Sequence, residues 1–323
     1  KSFPYIVAIL FFIVLSYTYF SPVIEGKGLI GSDTQNYLAM SKECVDYSIQ
    51  EESHQYWTNS MFGGMPTYQI QNHQENNLLQ YVNNLLNVFP RPVYFSILYL
   101  LCAFILLLTF GLNPWLSMAG SILFTFASYN FIIVAAGHNT KAIAIAYIMP
   151  LIGSVVMSFR GKRLLGGLLT AIFLGLAIYA NHLQILYYSL YVLLIYFLVE
   201  AFFAFKEKKV ASLLKTTGVL IVAAFIGIGV NASTLLTTYE YSKYTMRGES
   251  NGLTIDKQSS QHGLSSDYIT NWSYGIDETM TLLIPNYKGG ASGGVLGADS
   301  HTAKKLQELG VPNVEETIKE FRL

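Results

Sequence analysis

Charge is scarce in this sequence. Charged residues make up 12% of 323, where a soluble domain carries about 25%. The deficit falls in long uninterrupted blocks, which excludes an ordinary water-facing surface over much of the chain. An excess of one sign is also missing: 20 Lys and Arg balance 20 Asp and Glu, so the net charge is zero. No global basic field exists to gather nucleic acid, and none is expected as a partner. Cysteine is limited to Cys44, outside the apolar blocks, and Cys102, inside one. That excludes a disulfide framework and any thiolate metal spacing, and no bridge between the two is expected.

What is abundant is apolar. Hydrophobic residues reach 52%, with 23 Tyr and 20 Phe, a composition suited to membrane helices with aromatic belts. A helix needs about 20 apolar residues to span a bilayer. Seven blocks answer to that, at roughly 4–24, 93–111, 115–134, 142–159, 164–180, 185–205 and 213–235. The first lacks a small-residue cleavage site, so it reads as a retained anchor rather than a signal peptide. The expected fold is an all-α membrane protein, a polytopic bundle of about seven spanning helices. Lys1, Arg160, Lys162, Arg163, Lys206, Lys208, Lys209 and Lys215 share one set of junctions, whereas the short loops opposite hold Lys141, with Arg91 beside the second helix. By the positive-inside rule the basic side is cytoplasmic. This places the N-terminus inside and the long loop 25–92 outside, with the turns 135–141 and 181–184 and everything after about 236.

The expected organisation is a membrane module over 1–236 and a mixed outer segment over 237–323. Within loop 25–92, Ser32-Asp33 ahead of Tyr37, Met40 and Tyr47 predicts an N-capped helix. Trp57–Tyr68 is a Gly/Pro turn region, and 78–89 reads as an amphipathic helix at the interface. The last segment is Gly-rich from 289 to 297 and ends in two short helices, the second with Asn313 and Glu316 as a capping box. The chain opens on Lys1 and reads as part of a longer protein.

Polar groups at membrane boundaries are costly unless they face protein or water. Asp33, in GSDTQNY, reads two ways: as a carboxylate taking a proton from an attacking hydroxyl, or as a helix cap. In Gly137-His138-Asn139-Thr140-Lys141, Lys141 is suited to meet a lipid phosphate as a point charge and His138 to donate to it; capping by Asn139 and a snorkelling Lys is the plain alternative. Asn181-His182-Leu183-Gln184, ahead of Tyr187 and Tyr188, offers amide, imidazole and phenol groups to sugar hydroxyls, or simply closes a turn. Glu240 and Arg247 stand two helical turns apart, on one side of a helix. Over 270–294, Trp272 is suited to stack on a sugar and Asp277 and Glu278 to bind hydroxyls. The Gly-rich end fits no phosphate-loop spacing and reads as a linker. No second close ligand accompanies His182, so no metal site is assigned.

Five segments together resemble one family. They are GSDTQNYLAM (31–40), WTNSMFGGMPTY (57–68), AAGHNTKAIAIAY (135–147), YANHLQILYY (179–188) and TNWSYGIDETMTLLIPNYKGG (270–290). Their order and shared outer location resemble the YfhO-like family of bacterial membrane proteins, in the Bacteroidetes version. The resemblance implies a GT-C-like glycosyltransferase of the bacterial cytoplasmic membrane, and longer relatives of which this is the N-terminal part. It implies a polyprenyl-phosphate sugar donor, a cell-envelope glycan or glycolipid acceptor and surrounding membrane lipid. Asp33 would be the catalytic base in the first outer loop. His138, Lys141 and Arg247 would hold the donor phosphate, and Asn181, His182, Gln184, Glu240, Trp272 and Glu278 would contact sugar or acceptor. GT-C enzymes often pair acids in that loop, and Asp33 has no adjacent acid, so a divalent metal is possible but unsupported and no cofactor is expected. The other readings are a lipid or lipid-linked glycan transporter, disfavoured by helix middles almost free of charge, and a non-catalytic membrane assembly protein.

Overall fold

The structure, a computed structural model, describes residues 2–71, 77–245, 266–271, 273, 275–284, 287–288 and 297–320. It is mostly helical and divides into two units, 1–126 with 133–271 and 127–132 with 272–323.

In the first unit, helix α1 (Phe3–Tyr19) has a proline in its first turn, where a missing N–H costs nothing. The expected block 4–24 is shorter as a helix, because a 3-10 turn over Ser21–Glu25 follows. Helix α2 (Ser32–Glu51) leads to a two-residue antiparallel ladder of β1 (Trp57–Thr58) and β2 (Met65–Pro66). Helix α3 (Leu79–Leu85) continues as a 3-10 turn to Val88, which gives the expected amphipathic segment. Its apolar stripe Leu78, Tyr81, Val82 and Leu85 is exposed, while Leu79 is buried.

The apolar blocks are all helical: α4 (Val93–Thr109), α5 (Pro114–Thr125), α6 (Ser128–Ala136), α7 (Asn139–Phe159), α8 (Arg163–Tyr179), α9 (Leu183–Lys206) and α10 (Val210–Gly229). The block expected as one helix over 115–134 is instead broken between α5 and α6, with a bend of 50°. Helices α7, α9 and α10 are long and apolar enough to cross a membrane. Counting α5 with α6, and α4 with the segment Leu79–Val88 bent 119° from it, as one span each raises the number to five. Helices α1 and α8 are apolar but 17 residues long, about 25 Å at 1.5 Å per residue, against a hydrocarbon core of about 30 Å.

Small residues hold the bundle together. A Cβ on Gly227 of α10 would sit 2.9 Å from the Ala171 carbonyl of α8, so only glycine permits that approach. Between α7 and α8, Ser154 and Thr170 share a hydroxyl hydrogen bond of 3.0 Å. Phe12 of α1 meets Phe104 of α4 edge-on at 5.6 Å, beside buried Ala8 and Leu100. In contrast, α9 buries only Leu186 and Ser189 and exposes Tyr187, Leu190, Leu194, Leu198, Phe202 and Phe205. A helix this apolar and this exposed is stable in a hydrocarbon solvent rather than in water, which is the character of a membrane-embedded protein.

Beyond the bundle, α11 (Ala232–Ser242) docks on the turn after β2, where Gln69 donates to Thr238 Oγ1 at 2.9 Å. The short helix α12 (Ser266–Thr270) follows. The second unit contains a 3-10 turn over Asp277–Leu282, helix α13 (His301–Glu308) and helix α14 (Val314–Glu320). The two helices expected at the end are these, packed through Ala303, Val314 and Ile318. The start of α14 differs from a capping box: Asn313 is left-handed at φ 53° and receives the Glu316 and Thr317 N–H groups on its backbone carbonyl.

Candidate functional site

Two helix-to-helix turns have the same local design. Helix α6 closes with Gly137 N–H bonded to Val134 O and His138 N–H to Ile133 O, at 3.1 and 2.9 Å. With Gly137 at φ 92°, this is a Schellman closure, in which a left-handed residue satisfies the last carbonyls. His138 then occupies the N-cap position of α7. At the end of α8, Asn181 is left-handed at φ 55° and His182 occupies the N-cap position of α9. Each turn delivers an imidazole to the end of the bundle where α7 and α9 begin.

The start of α2 rests on the first of these turns. A Cβ on Gly31 would fall 2.8 Å from both Gly137 N and Cα, and a Cβ on Gly137 would fall 2.8 Å from Thr34 N. Two glycines therefore allow backbone to meet backbone. Ser32 Oγ reaches Ala136 O and Asn139 Nδ2 reaches Thr34 Oγ1, both at 3.4 Å. The result is that Asp33 Oδ2 lies 2.9 Å from His138 Nδ1, each side chain about half exposed (49% and 46%). The expected capping role of Ser32 or Asp33 is not what the structure has. Gly31 is the N-cap, extended and without a side-chain cap bond, and Asp33 sits inside the first turn, turned to His138. Likewise His138, not Asn139, is the N-cap of α7.

His182 belongs to the same neighbourhood. Burial first, then the charges of Lys141 and His138, hold its imidazole below the usual histidine range, so it sits there neutral at pH 7, able to donate and accept. Asp33 and His138 are thus in contact although over a hundred positions apart, and His182, next to Asn181 in sequence, lies within electrostatic range of His138 and Lys141.

The remaining candidates have other surroundings. Gln184 donates along its own helix to Tyr188 OH at 2.8 Å. Glu240 forms an exposed ion pair with Lys243 at 2.7 Å, one helical turn away. Glu278 lies in the second unit, where its carboxylate accepts the Gly275 N–H at 2.8 Å and caps the 3-10 turn; Asp277 pairs there with Lys288 at 3.1 Å. Arg247, Trp272 and the Gly-rich stretch through 296 lie outside the described residues. Among the described residues, no group of three His, Cys, Asp or Glu gathers as a metal site.

Two polar devices escaped the sequence reading. Glu43 of α2 holds the turn region: Oε1 accepts from Gln55 Nε2 at 3.0 Å, and Oε2 from the Ser60 N–H at 3.1 Å and from Thr58 Oγ1. These bonds, Thr58 first, lower its carboxyl from the ordinary 4.5 to about 2. Asn231, buried at 1% exposure, donates to Gly175 O and Gly227 O at 3.0 and 3.1 Å and accepts from Asn77 at 3.1 Å. It ties the segment before α3 to α8 and α10. Neither residue carries a local sequence signal, since apart from Gly227, four positions before Asn231, their partners are 12 to 154 positions away.

Fold and cluster together define a helical protein of membrane character, with a carboxylate–imidazole pair exposed at one end of its bundle. No family model, curated protein or solved structure matches this chain.

Proposed function

We propose that this chain is the site-bearing part of a GT-C-like glycosyltransferase of the bacterial cytoplasmic membrane. It transfers a sugar from a polyprenyl-phosphate donor to a hydroxyl of a cell-envelope glycan or glycolipid on the outer face. About seven helices span the membrane, the 17-residue α1 and α8 counted among them, with the N-terminus inside. The loop from α1 to α4 and the turns at 137–141 and 181–184 face outward. The observation that carries the reading is the 2.9 Å pair of Asp33 and His138, a proton-accepting unit open to solvent where a lipid-linked donor arrives. Lys141 supplies a positive charge for the donor phosphate, and neutral His182, with Asn181, supplies hydrogen bonds to phosphate or sugar oxygens. The basic residues at the opposite junctions, Arg160, Lys162, Arg163, Lys206, Lys208 and Lys209, agree with that orientation.

The test uses purified protein in proteoliposomes, given radiolabelled polyprenyl-phosphate hexoses and stripped envelope membranes as acceptor. Label should move to the acceptor fraction. Asp33→Asn should lower the rate by about 10²- to 10⁴-fold, the usual range for loss of general acid–base catalysis, with folding unchanged. Full activity of that variant would remove Asp33 from the mechanism.

A further inference from the structure

The geometry points to His138 as the atom-level proton acceptor of this site, with Asp33 as the positioning residue behind it; this rests on the glycosyl-transfer reading above. At pH 7 a carboxylate only accepts hydrogen bonds. A ring nitrogen 2.9 Å from Asp33 Oδ2 therefore carries the ring proton, and that nitrogen is Nδ1. In a neutral imidazole the proton on Nδ1 leaves Nε2 with its lone pair free. Nε2 makes no hydrogen bond among the described residues, and the side chain is half exposed.

The groups around the imidazole favour this division of labour. Asp33 faces it from α2, and His182, in the turn before α9, lies within electrostatic range of it. The Asp33 carboxylate steadies the imidazolium once it forms. The backbone around the pair is fixed: Gly137 closes α6, and α2 is seated against it by the Gly31–Gly137 contact. A base whose orientation is set by a third group is the recurring arrangement for activating a hydroxyl.

The acceptor hydroxyl oxygen bonds to the anomeric carbon of the donor sugar, and its proton passes to His138 Nε2. The bond from that carbon to the carrier phosphate oxygen breaks, and its electron pair leaves with polyprenyl phosphate. The imidazolium then releases one proton to water and is neutral again, with Nδ1–H still facing Asp33.

Two measurements decide the matter. Nitrogen-15 spectra of the protein in detergent identify the His138 tautomer, with the signal assigned among the six histidines by its loss in His138→Ala. The Nδ1–H form is expected in the unmodified protein, and a shift toward Nε2–H in Asp33→Ala. An Nε2–H ring in the unmodified protein overturns the proposal without touching the glycosyltransferase reading. In the transfer assay with polyprenyl-phosphate hexoses, His138→Ala should lose about 10²- to 10⁴-fold in kcat. Added imidazole should restore a measurable part of it, and should restore nothing to Asp33→Ala. Undiminished transfer by His138→Ala, or its failure to respond to imidazole while Asp33→Ala responds to formate, overturns His138 as the base and leaves the transfer reading standing. No transfer by the unmodified protein overturns both.

Discussion

Replacing Gly137 with alanine should undo the seat on which Asp33 rests. The cost has two separable parts. At φ 92° a side chain is strained in the left-handed region, which costs about 1–2 kcal/mol. The new Cβ also falls 2.8 Å from Thr34 N and 3.3 Å from Asp33 Cβ, and overpacking of this kind costs about 1–3 kcal/mol. Together these come to about 2–5 kcal/mol, a large part of a stability of about 5–15 kcal/mol. The chain can relieve the clash by moving α2 away. Restoring ordinary contact at about 3.5–4.0 Å carries the first turn outward by roughly an ångström. Asp33 then passes beyond hydrogen-bond reach of His138, so transfer falls even where the bundle stays folded. Gly161→Ala is the matched control: φ is 98°, but no atom lies within 4 Å of its added Cβ, so only the conformational part applies. The assays are thermal unfolding in detergent and hydrogen exchange at the first turn of α2. Gly137→Ala should lower the unfolding temperature more than Gly161→Ala, or else speed exchange at residues 32–36. Equal unfolding temperatures for the two variants, with exchange at α2 unchanged, would refute the reasoning.

Three further outcomes follow from the polar devices. Glu43 titrates lower in the folded chain than its ordinary 4.5, at about 2. Its hold on the 55–60 turn is therefore complete above about pH 4.5 and is lost as pH falls toward 2. Amide exchange at Asn59 and Ser60, corrected for intrinsic rates, should rise over that window, and Glu43→Gln should flatten the rise. His182 titrates below its ordinary range, burial first and Lys141 next. Its neutral form is favoured by folding, and the associated stability is present above the ordinary histidine range and lost as pH falls through it. Lys141→Met should move the His182 titration upward by NMR, short of the ordinary value because burial remains; a downward or absent move contradicts the assignment. Asn231→Leu removes three hydrogen bonds, each worth about 0.5–1.5 kcal/mol net, and should cost about 2–4 kcal/mol in denaturant unfolding.

Much of the scaffold was legible because it depends on composition alone. Each apolar block became mainly helix, since hydrocarbon leaves the backbone no other partner for its polar groups. What composition could not reveal was where a block breaks. Residues 115–134 are mostly apolar, with small hydroxyls and Asn130 scattered through them, and the break at Phe126–Ala127 carries neither Gly nor Pro. The site was legible as a set of turns, since polar residues at block ends stand out, but not as a set of partners. Asp33 and His138 are over a hundred positions apart, and no periodicity links them. The unread signal was in the glycines: Gly31 and Gly137 stand directly beside the two polar motifs, and a glycine next to a polar group marks close backbone approach. Glu278 and Glu240 each have a local partner, a nearby N–H and a Lys.

The central claim is that the turn before α7 and the start of α2 meet on the outer face of the membrane. Thr34 Oγ1 and Asn139 Nδ2 lie 3.4 Å apart, so Thr34→Cys and Asn139→Cys put two thiols on residues whose side chains meet. In intact cells, mild oxidation should cross-link this pair, and a membrane-impermeant maleimide added beforehand should block the link. Absence of a cross-link, or maleimide protection only after the cells are permeabilised, would contradict the account.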